Sequence, residues 1–406
     1  MKPIELDGRT GEGGGQVVRV AIVLAALTGQ AITITNVRGN RQGGGLKSQH
    51  VTSIQFLAEA TDADVDGLSV GSKTVTFTPR KSPTELLQRN IKISAASGAA
   101  STLLILQAIL PFLVFVGNDS DEPVELDISG GTNVSFSLSF EYLDQVLLPT
   151  LEERFGIQVE RKLKRRGWSL GPQSRGQIWI KLHPLRIGQV VRFKPPEQLK
   201  YPESYEIESV DVSMVVPSSV QEKLQASLTK DLGDLYPGAD VHFKVIEDSN
   251  LDSRWYILLV AHSKTGIRWG HDFLGSMPKK TKNRDTFTAQ ISSKLCRGLY
   301  EEVSVGGQAD IHLQDQVVVF QALCDGHSSL PRGDGPDESS PSVLIDAMGN
   351  LDIGEGRMRK EKTHEPFGHG SLHSQTARWV VSELLPNVEF FNKGDLVKGS
   401  GIAMKI

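Results

Sequence analysis

The stretch IELDGRTGEGGGQVVRVAIVLAALTG, residues 4–29, decides how the whole chain is read. Its first four residues suit a short strand. Residues 8–16 form a glycine-rich turn, and Val17 to Leu27 make an apolar helix that ends near Gly29. Consecutive glycines between a strand and a helix let backbone N–H groups approach an anion, which the helix N-terminus also favours. The spacing is neither a Walker A loop nor GxGxxG, and a plain tight turn would have the same composition. A carboxylate amid these glycines, Glu12, suits a magnesium ion bound to nucleotide, or equally a solvated turn residue.

Working outward, Ala31 to Asn36 (AITITN) is β-branched and alternating, as a strand requires. A basic glycine loop (RGNRQGGG, 38–45), a helix over 46–60 and strands near 65–69 and 73–79 follow. A similar order recurs: strand 91–93, helix 97–110, strand 124–128, helix 139–155, strands 157–164 and 177–182. A third, partial copy is expected from helix 287–301, strand 316–323, helix 374–384 and strands 387–391 and 402–405. The pattern therefore predicts an α/β fold of three related units. Between 185 and 278 the texture changes. Strand 207–215, helix 218–231 and strands 240–246 and 255–261 predict a small α/β domain inserted between units two and three. The large domain would then comprise 1–184 and 279–406. The segment 325–370, rich in Gly, Pro, Ser and charge, is expected to be largely disordered.

Composition excludes several classes. Of 406 residues, 39% are hydrophobic and 23% charged, enough for a substantial core. The formal charge is 44 − 48 = −4, so any contact with nucleic acid must come from a local basic patch. Two cysteines, Cys296 and Cys324, exclude a disulfide scaffold and a cysteine-rich zinc module and fit a reducing compartment. The amino terminus has no secretory apolar region. The longest apolar run, Leu103 to Val116, is short for a membrane span and contains Gln107 and Pro111. It reads as a buried helix that stops near the proline.

Four further segments bear on chemistry. Arg38, Arg41, Gly43 to Gly45, Lys47, Gln49 and His50 set cations beside flexible glycines, which suits a phosphate-rich ligand or an ordinary basic loop. The run RKLKRR (161–166) is open in the same way. LHSQT (372–376) opens a helix, whose N-terminus disfavours imidazolium and biases His373 toward its neutral, nucleophilic form. Attack by that histidine on a nucleotide α-phosphate would split one displacement into two; a capping or packing histidine is the plainer reading. A metal cluster of His364, His369 and His373 matches neither HExxH nor a zinc-finger spacing. Finally, HLQDQ (312–316) precedes VVVFQAL. Its polar side chains would meet a base or phosphate at a strand entrance, or merely mark a loop-to-strand transition.

In order along nearly the whole chain, DGRTGEGGGQVVR, RGNRQGGGLKSQHV, SGAASTLLILQAILP, ISGGTN, HLQDQ and LHSQTA resemble the signature segments of the RNA 3′-terminal phosphate cyclase family. That resemblance implies three βαβαββ-type repeats plus a small inserted domain. It implies an enzyme that uses ATP and a divalent cation such as Mg²⁺ to convert an RNA 3′-phosphate into a 2′,3′-cyclic phosphate, releasing AMP and pyrophosphate. By motif match the nucleophile is His373. Gln107, Asp315 and Gln316 fall on nucleotide-contacting positions, and His312 stands where an adenine-stacking tyrosine is usual. Glu12, Arg19, Arg41, Gln49 and His50 match positions around ATP and the RNA end, with Glu12 toward the metal. The implied partners are RNA 3′-phosphate ends and no membrane. The implied location is intracellular: nucleus in a eukaryote, cytoplasm in a bacterium. The chain departs from the family's pattern at His312, at NVSFSLSF (133–140) and at WSLGPQSRG (168–176). Two alternatives remain. A cyclase-like branch acts in ribosome assembly without the catalytic histidine; retention of GEGGGQ and LHSQT argues against it. Enolpyruvyl transferases share a similar repeat architecture and would prefer phosphoenolpyruvate to ATP.

Overall fold

The computed structural model describes residues 2–196, 205–278, 284–333 and 358–405. Strand β1 (Ile4–Asp7) leads through the glycine turn into helix α1 (Gly15–Thr28), which returns to β2 (Ile32–Thr35), parallel to β1. Gly29 ends α1 in the left-handed region (φ 72°) and donates its N–H to the Ala25 carbonyl. Helix α2 (Ser48–Thr61) and strands β3 (Asp64–Asp66) and β4 (Val75–Thr78) complete a sheet of order β1-β2-β4-β3.

The second unit repeats this layout. It comprises β5 (Asn90–Ser94), α3 (Thr102–Leu113), β6 (Val124–Gly130), α4 (140–155), β7 (Val159–Arg165) and β8 (Gly176–Leu182), in the order β5-β6-β8-β7. Both sheets begin with a parallel pair and continue antiparallel. Strict alternation of buried and half-buried residues along β6 and β8 gives that sheet one core face. Helix α3 stops near its proline, as its sequence suggested: it ends at Leu113, with Pro111 buried in its last turn. The proline forfeits one hydrogen bond, and burial of Leu110, Phe112 and Leu113 around it outweighs that loss. In α4 the turn Leu143–Leu147 widens just before Pro149, which has no N–H to donate backward.

A small unit follows: β9 (Ile207–Val216), α5 (Gln221–Leu235), β10 (Asp240–Asp248), β11 (Trp255–Ser263), β12 (Arg268–Gly275) and α6 (Arg284–Ser304), with sheet order β10-β9-β11-β12. The polar sequence of β12 gave no strand signal. One face of this sheet packs Val210, Val212 and Met214 against Leu224 and Leu228 of α5 and Ile291 and Leu295 of α6. The other face adds Val215, Tyr256, Leu258 and Val260 to the main core.

The last unit holds α7 (Ile311–Leu323), β13 (His327–Ser329), α8 (Leu372–Leu384), β14 (Glu389–Phe391) and β15 (Leu396–Lys398), with sheet order β13-β15-β14. A parallel bridge between Arg192 and Asp325 brings the chain that precedes the small unit alongside the start of β13. Two strand expectations are corrected here. Residues 316–323 belong to helix α7, because Asp310 caps it by accepting the His312 and Leu313 N–H groups (2.9 and 2.8 Å) and the apolar run is buried all round. Such a run carries no periodicity that separates helix from strand. Residues 402–405 form no strand; the final strand is Leu396–Lys398. Of the segment expected to be disordered, 334–357 lies outside the described residues, as does 197–204 of the polar connection, whereas His327–Ser329 is a strand.

Helix α1 is the hub. It packs on α8, α3 and α2, and from Gln16 to Leu27 every residue except Arg19 is buried. A helix that is apolar all round belongs inside. Each large side chain buried there contributes roughly 1.5–3 kcal/mol. Among the described residues no helix is long and apolar enough to cross a membrane.

Candidate active site

The N-terminus of α1 organises the site. Gly14 precedes the helix and offers no side-chain cap, so Glu12 folds back and its Oε1 accepts the Gln16 N–H at 3.0 Å. A Cβ on Gly14 would lie 2.2 Å from that carboxylate, and one on Gly15 would lie 2.6 Å from both Arg19 and His50. The glycines are therefore required by close packing. The Glu12 N–H donates to the Thr376 hydroxyl of α8 (3.0 Å), joining the two ends of the sequence. Arg41, from the basic loop, donates to Glu12 Oε2 at 2.5 Å. His373, in the first turn of α8, places Nδ1 3.8 Å from Glu12 Oε1, too long for a hydrogen bond but close enough for charge to matter.

Electrostatics sorts these groups. The Glu12 side chain is only 3% exposed. Burial pushes its pKa up, but the Arg41 hydrogen bond, the Gln16 N–H and the charges of His373 and Arg41 outweigh burial and hold it below the usual value. His373 is 47% exposed. Partial withdrawal from water lowers its pKa most; Arg19, Arg41 and His312 lower it further, and Glu12 opposes them. The net shift is downward, which favours the neutral form of the ring. Ser371 caps α8 by accepting the Ser374 N–H at 3.1 Å, which leaves His373 no capping role.

A narrow cleft opens beside the first turns of α1. Gln16, Arg19, Gln107, Leu138, Asp315 and Gln316 contribute to its walls. Gln16 bridges the groups: it accepts from Arg19 Nη2 at 2.5 Å and donates to Asp315 Oδ2 at 3.3 Å. Gln316 donates to the same oxygen at 2.9 Å. Burial pushes Asp315 up to about 7; Arg19 and His312 pull it down, and Asp310 pushes it up. Among the buried side-chain polar atoms of the described residues without a protein partner are Gln107 Oε1 and Arg19 Nε, in this cleft, and His50 Nε2, beside Gly15. His50 Nδ1 accepts the Lys47 N–H (3.1 Å), so Nε2 carries the proton and points as an unmatched donor. Burial, then Arg19, Arg38 and Lys47, keep its pKa well below the ordinary value. An unmatched buried polar atom costs about 1–3 kcal/mol, so each of these is a place where a ligand or a water would be favoured.

The remaining expectations divide. His312 sits exposed at the start of α7, edge-on to Tyr142 with ring centroids 6.1 Å apart, and is not part of the cleft wall. Gln49 lies in the first turn of α2, where its carbonyl accepts the Ser53 hydroxyl (2.8 Å). Among the described residues no group of three or more His, Cys, Asp or Glu suits a metal ion, which removes the cluster of His364, His369 and His373. Glu12 fits a resident divalent cation poorly, because both its oxygens are engaged and cations surround it. RKLKRR is structural: Arg161 pairs with Asp144 and Glu152, Lys164 with Asp127, and Arg166 with Glu141 and Glu247. Sequence reasoning missed Gln16, Thr376 and Asp310 as individual site residues. Gln16 and Thr376 close quoted motifs and were within reach. Asp310 also accepts from Tyr142 (2.6 Å) and Gly270 (2.7 Å), partners too distant in sequence to be foreseen.

An α/β scaffold that converges a glycine turn, two arginines and a histidine on adjoining helix N-termini defines a phosphate-handling class of protein. The sequence profile described as RNA 3′-terminal phosphate cyclase matches residues 10–387, and the chain belongs to that family. Its relatives include the RNA 3′-terminal phosphate cyclase of Thermococcus kodakarensis, 30% identical over 363 residues (89% of this chain, 98% of the relative). The Drosophila melanogaster protein of that name is 30% identical over 341 residues (82% and 86%). That of Hyperthermus butylicus is 32% identical over 340 residues (80% and 86%).

Proposed function

We propose that this chain is an ATP-dependent RNA 3′-phosphate cyclase that works through adenylylated His373. The observation that carries the reading is the place of the His373 ring, at the N-terminus of α8 and 3.8 Å from the buried Glu12 carboxylate. With Nδ1 toward Glu12, Nε2 is the nitrogen free to attack the α-phosphorus of ATP. The N–P bond forms as the bond to pyrophosphate breaks, and Glu12 stabilises the positive charge left on the ring. An RNA 3′-phosphate oxygen then takes the adenylate from His373, giving a phosphoanhydride. The adjacent 2′-hydroxyl attacks the 3′-phosphorus, loses its proton and expels AMP. Nucleophile and electrophile share one ribose, so proximity supplies much of this last step.

Arg19, Arg41 and the His50 Nε2–H are the donors for phosphate oxygens, and Gln107, Asp315 and Gln316 hold the nucleotide from the cleft. Gln49 lies beside His50 and serves the RNA end. His312 offers its ring to the adenine from outside the cleft. A divalent cation enters only with the nucleotide's phosphates. The test is an RNA oligonucleotide with a 3′-phosphate, incubated with and without ATP. Wild type is expected to convert the end to a phosphatase-resistant form only with ATP, and His373→Ala to lose at least about 10³-fold in rate. Conversion by His373→Ala at the wild-type rate would end this reading.

A further inference from the structure

Residues 133–139 form a loop that is pinned throughout. The Asn133 N–H donates to the Gly167 carbonyl (2.8 Å) and the Ser135 N–H to the Ser169 hydroxyl (3.2 Å). The Ser137 and Ser101 hydroxyls pair at 2.5 Å, and the Ser139 hydroxyl caps α4 by accepting the Tyr142 N–H at 3.0 Å. Leu138 turns inward and lines the cleft beside Gln107 and Arg19. Between these anchors Phe136 points into solvent, 101% exposed, with its backbone at φ 63°. A bulky residue in the left-handed region is strained, and a phenyl ring wholly in water gains nothing from burial. The folded state thus holds an unfavourable conformation that presents an aromatic ring. Such an outlier in an otherwise fixed loop points to a ligand.

We propose that Phe136 is a stacking platform for the nucleobase at the RNA 3′ end. The proposal deepens the function argued above, because it assigns a contact to the RNA substrate of the same site. Phe136 is two residues from Leu138, so their Cα atoms lie within about 7 Å of each other, and the loop that presents the ring also supplies a wall of the cleft. Stacking on a phenyl face accepts any base, which suits recognition of an end rather than a sequence. The adenine of ATP would share this chemistry. The RNA base is favoured because Phe136 is open to solvent on all sides, where a strand can continue, whereas the cleft's polar groups lie inward.

The probe is a short RNA with a 3′-phosphate and 2-aminopurine as its last base. Wild type is expected to quench its fluorescence on binding. Phe136→Ala should bind about tenfold more weakly and lose the quench, and Phe136→Trp should restore both. Self-adenylylation by ATP alone should be unchanged in both variants. Unaltered affinity and quenching in Phe136→Ala, no quenching by wild type, or an effect confined to ATP would each overturn the assignment. If wild type binds and quenches but never becomes adenylylated, the catalytic reading fails and the stacking result stands.

Discussion

Helices α1 and α3 occupy the same place in two sheets of identical order, yet their N-termini are built for opposite ends. Helix α3 is closed by Ser101, whose hydroxyl accepts the N–H groups of Leu103 and Leu104. A Cβ on the preceding Gly98 would meet nothing nearer than 3.9 Å. Helix α1 has a glycine where Ser101 stands, and a carboxylate reaches back from two residues earlier to take one N–H. Around that carboxylate the protein crowds Arg41, His373 and Thr376, with Arg19 and His50 over Gly15. One helix start is satisfied by a local cap and the other by groups drawn from distant segments. The glycines at the α1 start leave the space that these distant groups fill.

The sharpest way to break this contrast is to add a methyl group at each turn. Gly14→Ala or Gly15→Ala should lower cyclisation by about 10²-fold, since a misplacement near 1 Å at reacting groups has that effect. Gly98→Ala should stay within about twofold. Equal losses at both turns would show that glycine content alone, not packing around Glu12, explains the motif.

A second contrast lies in buried charge. Asp315 titrates near 7 in the folded chain and near 3.8 unfolded. Its folded pKa is raised, so the native state binds the extra proton between those values. Stability should therefore fall as pH rises from about 4 through 7. Asp315→Asn removes that slope and should gain about 2 kcal/mol over wild type at pH 8 relative to pH 5, read from urea midpoints. No such change should appear at the α3 start, which has no carboxylate.

The smallest expected effect concerns Arg41. Removing this cation relieves a charge that disfavours imidazolium, so the His373 pKa rises. In Arg41→Ala the acid limb of the adenylylation rate should move to higher pH, with the plateau reduced about tenfold. A limb that stays put would detach Arg41 from His373.

Much of this layout is visible in the sequence, for physical reasons that differ by region. The glycine turn, α1 and the alternating strands β2, β6 and β8 carry the period of their structure in their own residues. Helix α7 does not: VVVFQAL is buried on every side, so the helical period is erased and β-branching points the wrong way. Its cap, Asp310, was the available signal. The site divides similarly. His373, Glu12 and Arg41 stand in short motifs and lie within 4 Å of one another through Glu12, whereas the Gln16–Asp315 contact spans 299 residues and rests on tertiary packing alone. The packing of α6 on the small sheet is equally invisible, because its amphipathic face would suit either core.

The most direct measurement is incubation of the full chain with α-labelled ATP, followed by mapping of the labelled peptide. The account predicts one acid-labile adenylate on His373, absent from His373→Ala. A protein that stays unlabelled, or a label on a lysine, would contradict it.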